Sequence, residues 1–323
     1  MYDGVHGLHT ADVRRDIELL GYYRENNIYT SMITEAFGYK WNTWNHTKWD
    51  TSWYDKAYFG ESAVNKITID EPLHPVLNKL VNKNTIRKAS KLPEISDIKE
   101  ILRLSIVVDP KFFNRGEIEP VDPKDATQPG KLVLKPYSCG EVTGPGFNYG
   151  TFTWRVIMPE YPQLWPALWL SAEHSWPPEI DVVEGYTEER GNYIRSYLQT
   201  SLETNAHYRV GGGHKCVGAK AMCYMTYKRL HRMIDTWSCV WTPDYVKIIF
   251  NGQCIRTIRD KKLLDDLNDR HSMCPIMNMM ITDKFELKDI NDNPHMDIID
   301  FKYEPLGVHK LGGPNTTHVI HTM

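Results

Sequence analysis

The sequence predicts an all-β fold, a sandwich of two curved antiparallel sheets, and three observations carry that prediction. First, from residue 131 onward short runs rich in Val, Ile, Thr and aromatics alternate with turn residues. They fall at 131–135, 139–143, 150–158, 165–171, 179–184, 194–202, 237–241, 245–250, 253–258, 276–282 and 296–303, the spacing of a sandwich or barrel. Second, Asn251-Gly252 lies between two apolar runs, a strong hairpin signal. Third, residues 165–185 read WPALWLSAEHSWPPEIDVVEG, with the acids Glu179, Asp181 and Glu184 set among β-branched neighbours. Read with the strands beside it, this acidic strand places a cleft on the concave face of one sheet.

Ahead of the strands, residues 1–36 read as an N-terminal arm. Within it, 11–20 has the start and stop signals of a short helix, Asp12 near its beginning and Gly21 just after its end. Residues 37–59 are dense in aromatics (Trp41, Trp44, Trp49, Trp53, Tyr54, Tyr58 and Phe59), expected mostly to pack against the sandwich, with a cleft lip or docking surface as the alternative. Residues 64–69 alternate like a strand. From 73 to 104 the apolar positions Leu77, Leu80, Val81, Ile95, Ile98, Ile101 and Leu102 recur at helical spacing, which predicts a helical insertion covering a sheet edge or binding an assembly partner. Residues 110–129 contain four prolines and several acids, an irregular connector. The sandwich thus spans 37–308, interrupted by an insertion at about 73–129, and a tail follows at 309–323. Residues 203–231 read as a long loop rimming the cleft.

Bulk properties exclude several classes of partner. A formal charge of −3 over 323 residues gives no reason to expect nucleic acid or an anionic membrane. No run of 18 apolar residues is present, so no transmembrane helix is expected. The first residues, MYDGVHGLHTADVRRD, have neither the basic start nor the apolar run of a secretory signal. Action outside the cell would then need another exit route, such as a virus particle released by lysis. The six cysteines, at 139, 216, 223, 239, 254 and 274, allow 15 full pairings. Cys139, Cys239 and Cys254 lie in strand-like text and are expected as buried thiols, and all six are expected to be reduced. His207, His214, Cys216, Cys223 and His231 lack a C-x2-C pair or other tight ligand spacing. They read as scattered loop residues rather than a zinc site.

The acidic strand is where chemistry is expected. Side chains alternate between faces along a strand, so Glu179 and Asp181 share one face, while Ile180 and Val182 point to the core. Strict alternation would drive Glu184 into that core, where a lone carboxylate costs several kcal/mol. One extra residue near Val182-Val183, a β-bulge, returns Glu184 to the acidic face. The three acids then lie within about 5–8 Å of each other. A carboxylate nucleophile and a protonated carboxylic acid about 5–5.5 Å apart are what retaining glycoside hydrolysis requires. A neighbouring anion and partial desolvation keep the acid protonated. Trp165, Trp169 and Trp176 offer the flat surfaces on which sugar rings bind.

The run WPALWL followed by WPPEIDVVEG resembles the signature of glycoside hydrolase family 16 in its bulge-containing E-x-D-x-x-E form. The flanks agree: Gly146-Phe147-Asn148-Tyr149-Gly150-Thr151-Phe152 with Arg155-Val156, Cys239-Val240-Trp241-Thr242-Pro243-Asp244 with Ile249-Phe250-Asn251-Gly252, and MDIIDFKY at 296–303. The resemblance covers about 130–303. It implies a β-jelly roll, with Glu179 as nucleophile, Asp181 as assisting acid and Glu184 as general acid/base. It also implies a sugar-contacting polar residue near Gln199. No cofactor is implied; a structural Ca²⁺ is compatible with the family, although no ligand loop stands out. Ile234-Asp235-Thr236-Trp237 departs from the family's usual His and Tyr at that place. The expected activity is endo-hydrolysis or transglycosylation of a β-linked polysaccharide, with β-1,3-glucans, mixed-linkage glucans, agars, carrageenans and related galactans all open. The alternative is a carbohydrate-binding or structural module, virion-associated or not, on the same fold.

Overall fold

The computed structural model describes residues 30–45, 56–68, 98–108, 110, 135–159, 163–186, 199–211, 213–217, 219–226, 234–269, 272–282, 285–287, 289–291 and 294–307. These form two nine-stranded sheets packed face to face. The first runs in the order β1 (Thr30–Ala36), β2 (Tyr39–Asn45), β7 (Glu141–Thr143), β17 (Met273–Ile281), β9 (Leu164–Ala172), β10 (Glu179–Tyr186), β11 (Gln199–Val210) and β12 (Gly213–Cys216), with β13 (Ala219–Thr226) also on β11. The second runs β16 (Gln253–Ile258), β15 (Val246–Phe250), β14 (Asp235–Trp241), β8 (Gly150–Ile157), β18 (His295–Pro305), β5 (Glu100–Val108), β6 (Tyr137–Cys139) and β3 (Ala57–Phe59), with β4 (Val64–Thr68) on β5. Only the β3–β6 pairing is parallel among them. This is the jelly-roll sandwich predicted.

The core lies between the sheets, where Phe152, Trp154, Trp237 and Trp241 meet Leu168, Leu170, Ile180, Val182 and Tyr208, all buried. Alternation explains the split: β14 buries every second residue, Asp235, Trp237, Cys239 and Trp241. The β15–β16 hairpin turns at Asn251 (φ 47°) and Gly252 (φ 83°), both left-handed, as a two-residue primed turn demands. Asn251 further fastens the turn, donating to Asp235 Oδ1 at 2.8 Å and accepting from the Thr236 amide at 2.8 Å. The divergent Ile234–Trp237 stretch therefore serves this turn. One helix, α1 (Lys261–Asn268), is capped by Asp260, whose carboxylate accepts from the Lys262 and Leu263 amides. Its Asp266 accepts from the Arg209 amide at 2.8 Å, tying α1 to β11.

Several expectations are corrected. Ile98, Ile101 and Leu102, predicted in a helix, belong to or abut β5, which pairs with β18. The run is apolar enough for either state, and pairing with two neighbouring strands decides it. Residues 30–36, predicted in the arm, form edge strand β1 on β2. The strand predicted at 194–202 runs instead over 199–210, and most of the predicted loop 203–231 is β11, β12 and β13. Cys139 and Cys239 are buried thiols as predicted, but Cys254 is exposed; these three, with Cys216 and Cys274, are free. The predicted helix at 11–20, the insertion from 73 to 97, nearly all of the connector, the tail, and Trp49, Trp53 and Tyr54 lie outside the described residues.

Candidate active site

The predicted bulge is present. On β10, Asp181 pairs with Trp169 and Val183 with Leu168, so Val182 is the extra residue, and the register also shifts against β11 between Asp181 and Glu184. Val182 and Val183 are both buried, and Glu184 returns to the face of Glu179 and Asp181. The two glutamates stand opposite residues four apart on β9, Ser171 and Ala167, about 13 Å along the strand, so the expected 5–8 Å holds for each glutamate against Asp181 but not between the two glutamates. Asp181 lies between them and within electrostatic reach of both carboxyls.

The pairings extend this face across neighbouring strands. One row runs Cys274–Ser171–Glu179–His207–Cys216, a second Ile276–Trp169–Asp181–Asn205, and a third Glu141–Asn278–Ala167–Glu184–Glu203. Both glutamates are held by specific donors. Trp176 Nε1 donates to Glu179 Oε2 at 2.8 Å, Trp165 Nε1 to Glu184 Oε1 at 3.1 Å, and Asn205 Nδ2 to Glu184 Oε2 at 2.5 Å. Trp169 Nε1 donates to Asn278 Oδ1 at 2.7 Å. All three predicted tryptophans are half-buried, so each fixes a polar group and keeps part of its surface exposed. Gln199 begins β11; its side chain lies outside the described residues.

The acids are 4–6% exposed, and their protonation follows from that. Burial pushes Glu184 up to about 8, with the Asp181 charge adding to it, against hydrogen bonds from Asn205 and Trp165. Burial pushes Asp181 to about 7, opposed by its contact with Glu179 and the charge of Arg256. Glu179 is raised well above the usual carboxylate range, by burial first and then by Asp181. Glu179 and Asp181 face each other closely enough to share a proton, and they titrate as a pair.

Sequence reasoning missed the second layer of the site. His207, read as a loop residue, lies opposite Glu179 with Nε2 3.6 Å from Glu179 Oε1 and 3.2 Å from Asp181 Oδ2. Burial lowers its pKa, so it is neutral near pH 7. Its Nδ1 is 2.7 Å from His214 Nε2, and the two rings stack at 4.9 Å. Asn205 was missed because nothing in its sequence distinguishes it until the β10–β11 register is known. Arg256 was missed because it reaches over from β16 in the other sheet. There it donates to Thr204 Oγ1 at 2.7 Å and to the Val217 carbonyl at 2.7 Å, and places a positive charge near Asp181. Among the described residues the one group of three or more acid, His or Cys side chains close enough to share a cation is Glu179, Asp181 and His207.

A sandwich with a bulged strand presenting three buried acids beside tryptophans defines a class. The family model described as "Glycosyl hydrolases family 16" matches residues 119–293, more than half the chain, and the chain belongs to that family. Among curated proteins it is similar to two from Rhizobium meliloti (strain 1021). Endo-1,3-1,4-beta-glycanase ExsH is 30% identical over 109 residues, covering 33% of this chain and 20% of the relative. Endo-1,3-1,4-beta-glycanase EglC is 36% identical over 76 residues, 21% and 16% respectively. The match thus spans a fifth or less of these relatives. Among solved structures, a family 16 enzyme of the Bacteroides ovatus mixed-linkage glucan locus, in complex with a G4G4G3G product, aligns at TM-score 0.46 and 17% identity, over 78% of this chain and 98% of that one. The laminarinase catalytic domain of Thermotoga petrophila aligns at TM-score 0.42 and 18% identity, over 64% and 78%.

Proposed function

We propose that this chain is a retaining endo-glycosidase of β-linked polysaccharides, and that a glucan with 1,3 and 1,4 linkages is its first candidate substrate. The observation that carries the reading is the bulge: it brings Glu184 onto the face of Glu179 and Asp181, with each glutamate held by its own donor. The linkages are taken from the two curated relatives, both endo-1,3-1,4-β-glycanases; glucose as the sugar is part of the proposal.

In this reading the site carries protons in the right places. Glu184, at about 8, is protonated at neutral pH and donates to the leaving oxygen as the glycosidic bond breaks. In the free site their contact raises Glu179 and lowers Asp181, so the proton shared by the two rests on Glu179; in this reading it passes to Asp181 as the sugar binds, which frees Glu179 to attack the anomeric carbon. The glycosyl-enzyme ester then breaks when Glu184, now ionised, takes a proton from water, whose oxygen replaces Glu179 on the sugar. As the ester breaks, the proton on Asp181 returns to the released Glu179 carboxylate, and Arg256 favours the Asp181 left ionised. Trp165, Trp169 and Trp176 supply stacking surfaces on the −1 and neighbouring sugars, and Gln199 a polar contact.

The test is product release from a panel of β-1,3-glucan, mixed-linkage glucan, agar and carrageenan, with Glu179→Gln run beside the native chain. Oligosaccharides from one substrate, lost in the variant, are expected. Retained turnover in Glu179→Gln would sink the assignment, and binding without products across the panel would leave a recognition module.

A further inference from the structure

The pair of histidines beside the acids has a second consequence. Glu179 and His207 are directly opposed on β10 and β11, and Asp181 is two residues along on the same face, so three donors of metal-ligating type converge from two adjacent strands. His207 Nε2 is 3.2 Å from Asp181 Oδ2 and 3.6 Å from Glu179 Oε1, and one donor atom from each residue lies within 4.8 Å of the others. Two donors on one tetrahedral Zn²⁺, with bonds of about 2.0–2.2 Å, stand roughly 3.3–3.5 Å apart. The two distances from His207 therefore suit a common ion.

Two further observations point the same way. Asp181 is buried, yet its Oδ2 accepts no hydrogen bond although His207 Nε2 is only 3.2 Å away. A buried oxygen left so is an expensive arrangement, and Arg256, whose charge lies near Asp181, makes its hydrogen bonds to Thr204 and Val217 instead. Meanwhile His207 Nδ1 is bonded to His214 Nε2 at 2.7 Å, and His214 is backed by Trp176, ring centres 4.9 Å apart. With the shared hydrogen on His207 Nδ1, His207 presents the Nε2 lone pair to the carboxylates. A ligating histidine fixed through its other nitrogen is the usual outer-layer arrangement of a metal site. One imidazole with two carboxylates favours Zn²⁺ over Ca²⁺ or Mg²⁺, which prefer all-oxygen ligands.

We propose that Glu179, Asp181 and His207 bind a divalent ion of the Zn²⁺ type, with the remaining coordination position facing the cleft. Such an ion occupies Glu179 Oε1 and lies where a sugar must bind, so ion and glycan exclude one another, and zinc acts as a reversible inhibitor of the site.

Zinc binding is measured on the full chain by calorimetry with a phosphine reductant, and the ligand set is read from the visible spectrum after Co²⁺ replacement. One equivalent is expected, with tetrahedral cobalt bands and no thiolate charge transfer. Asp181→Asn and His207→Gln should remove it, His214→Ala should weaken it about 10–100-fold, and Cys216→Ser should leave it intact. No stoichiometric uptake by the native chain, a thiolate-to-cobalt band, or uptake unchanged in folded Asp181→Asn and His207→Gln would each overturn the proposal. The cobalt spectrum of the native chain decides the matter even if a variant fails to fold. The readout does not depend on catalysis, so an inactive enzyme would refute the proposed function and leave this result standing. If products are released, added zinc should suppress them and a chelator restore them.

Discussion

Replacing Glu184 by Gln should stabilise the protein at alkaline pH while abolishing its activity. The carboxyl is 5% exposed, and burial lifts it from 4.5 to about 8. A group raised in the folded state costs nothing below about pH 4.5, where folded and unfolded chains both hold the proton. The cost grows as pH rises towards 8, because the unfolded chain ionises first, and it is constant beyond. At 1.36 kcal/mol per tenfold change in proton affinity, the ceiling is on the order of 3–5 kcal/mol. Gln fills the same volume without ionising. Trp165 and Asn205 both donate to Glu184, however, and an amide accepts only one of those bonds unless Asn205 turns its own amide over. Losing a bond costs about 1–2 kcal/mol at any pH. The variant should therefore be slightly less stable than the native chain at pH 4.5 and about 2–3 kcal/mol more stable at pH 8.5. Urea unfolding followed by tryptophan fluorescence at the two pH values measures this. A stability difference of the same sign and size at both would refute the claim that burial holds this carboxyl protonated.

Three other perturbations separate site chemistry from scaffold. Asn205→Ala removes a donor that favours the ionised form of Glu184, so the alkaline limb of the pH–rate profile should move to higher pH as the rate falls. Arg103 donates to buried Asp297 through Nε at 2.7 Å and Nη2 at 2.8 Å. Arg103→Leu strands that carboxylate and should cost about 3–5 kcal/mol in urea unfolding. At Gly140 an added Cβ would meet the Ala63 carbonyl oxygen at 2.7 Å and Leu104 Cα at 3.0 Å. Both are backbone atoms, so Gly140→Ala should lower stability by about 1–3 kcal/mol, read as a fall in thermal midpoint.

What was legible in the sequence was whatever rests on local pattern. The bulge could be read because only an inserted residue reconciles Glu184 with a core-facing Ile180 and Val182. The Asn251-Gly252 turn could be read because few residue pairs accept two left-handed conformations in a row. The site's outer layer depends on long-range register, which local pattern does not carry. His207 is 28 residues from Glu179 in sequence but directly across from it in space, and Arg256 arrives from the opposite sheet. The same limit misassigned β5. Ile98, Ile101 and Leu102 fit a helical repeat, yet the strand is flanked by β18 and β4 and buries Leu102 and Leu104 on one face and Ile101 on the other. A strand covered on both sides loses the alternation that would have announced it.

The central claim is double displacement by Glu179 and Glu184, and the anomeric configuration of the first product tests it most directly. Proton NMR at early times, on mixed-linkage β-glucan with the native chain, should show new reducing ends appearing as the β anomer, with the α anomer following only by mutarotation. Initial appearance of the α anomer would mean single displacement by water and contradict the account.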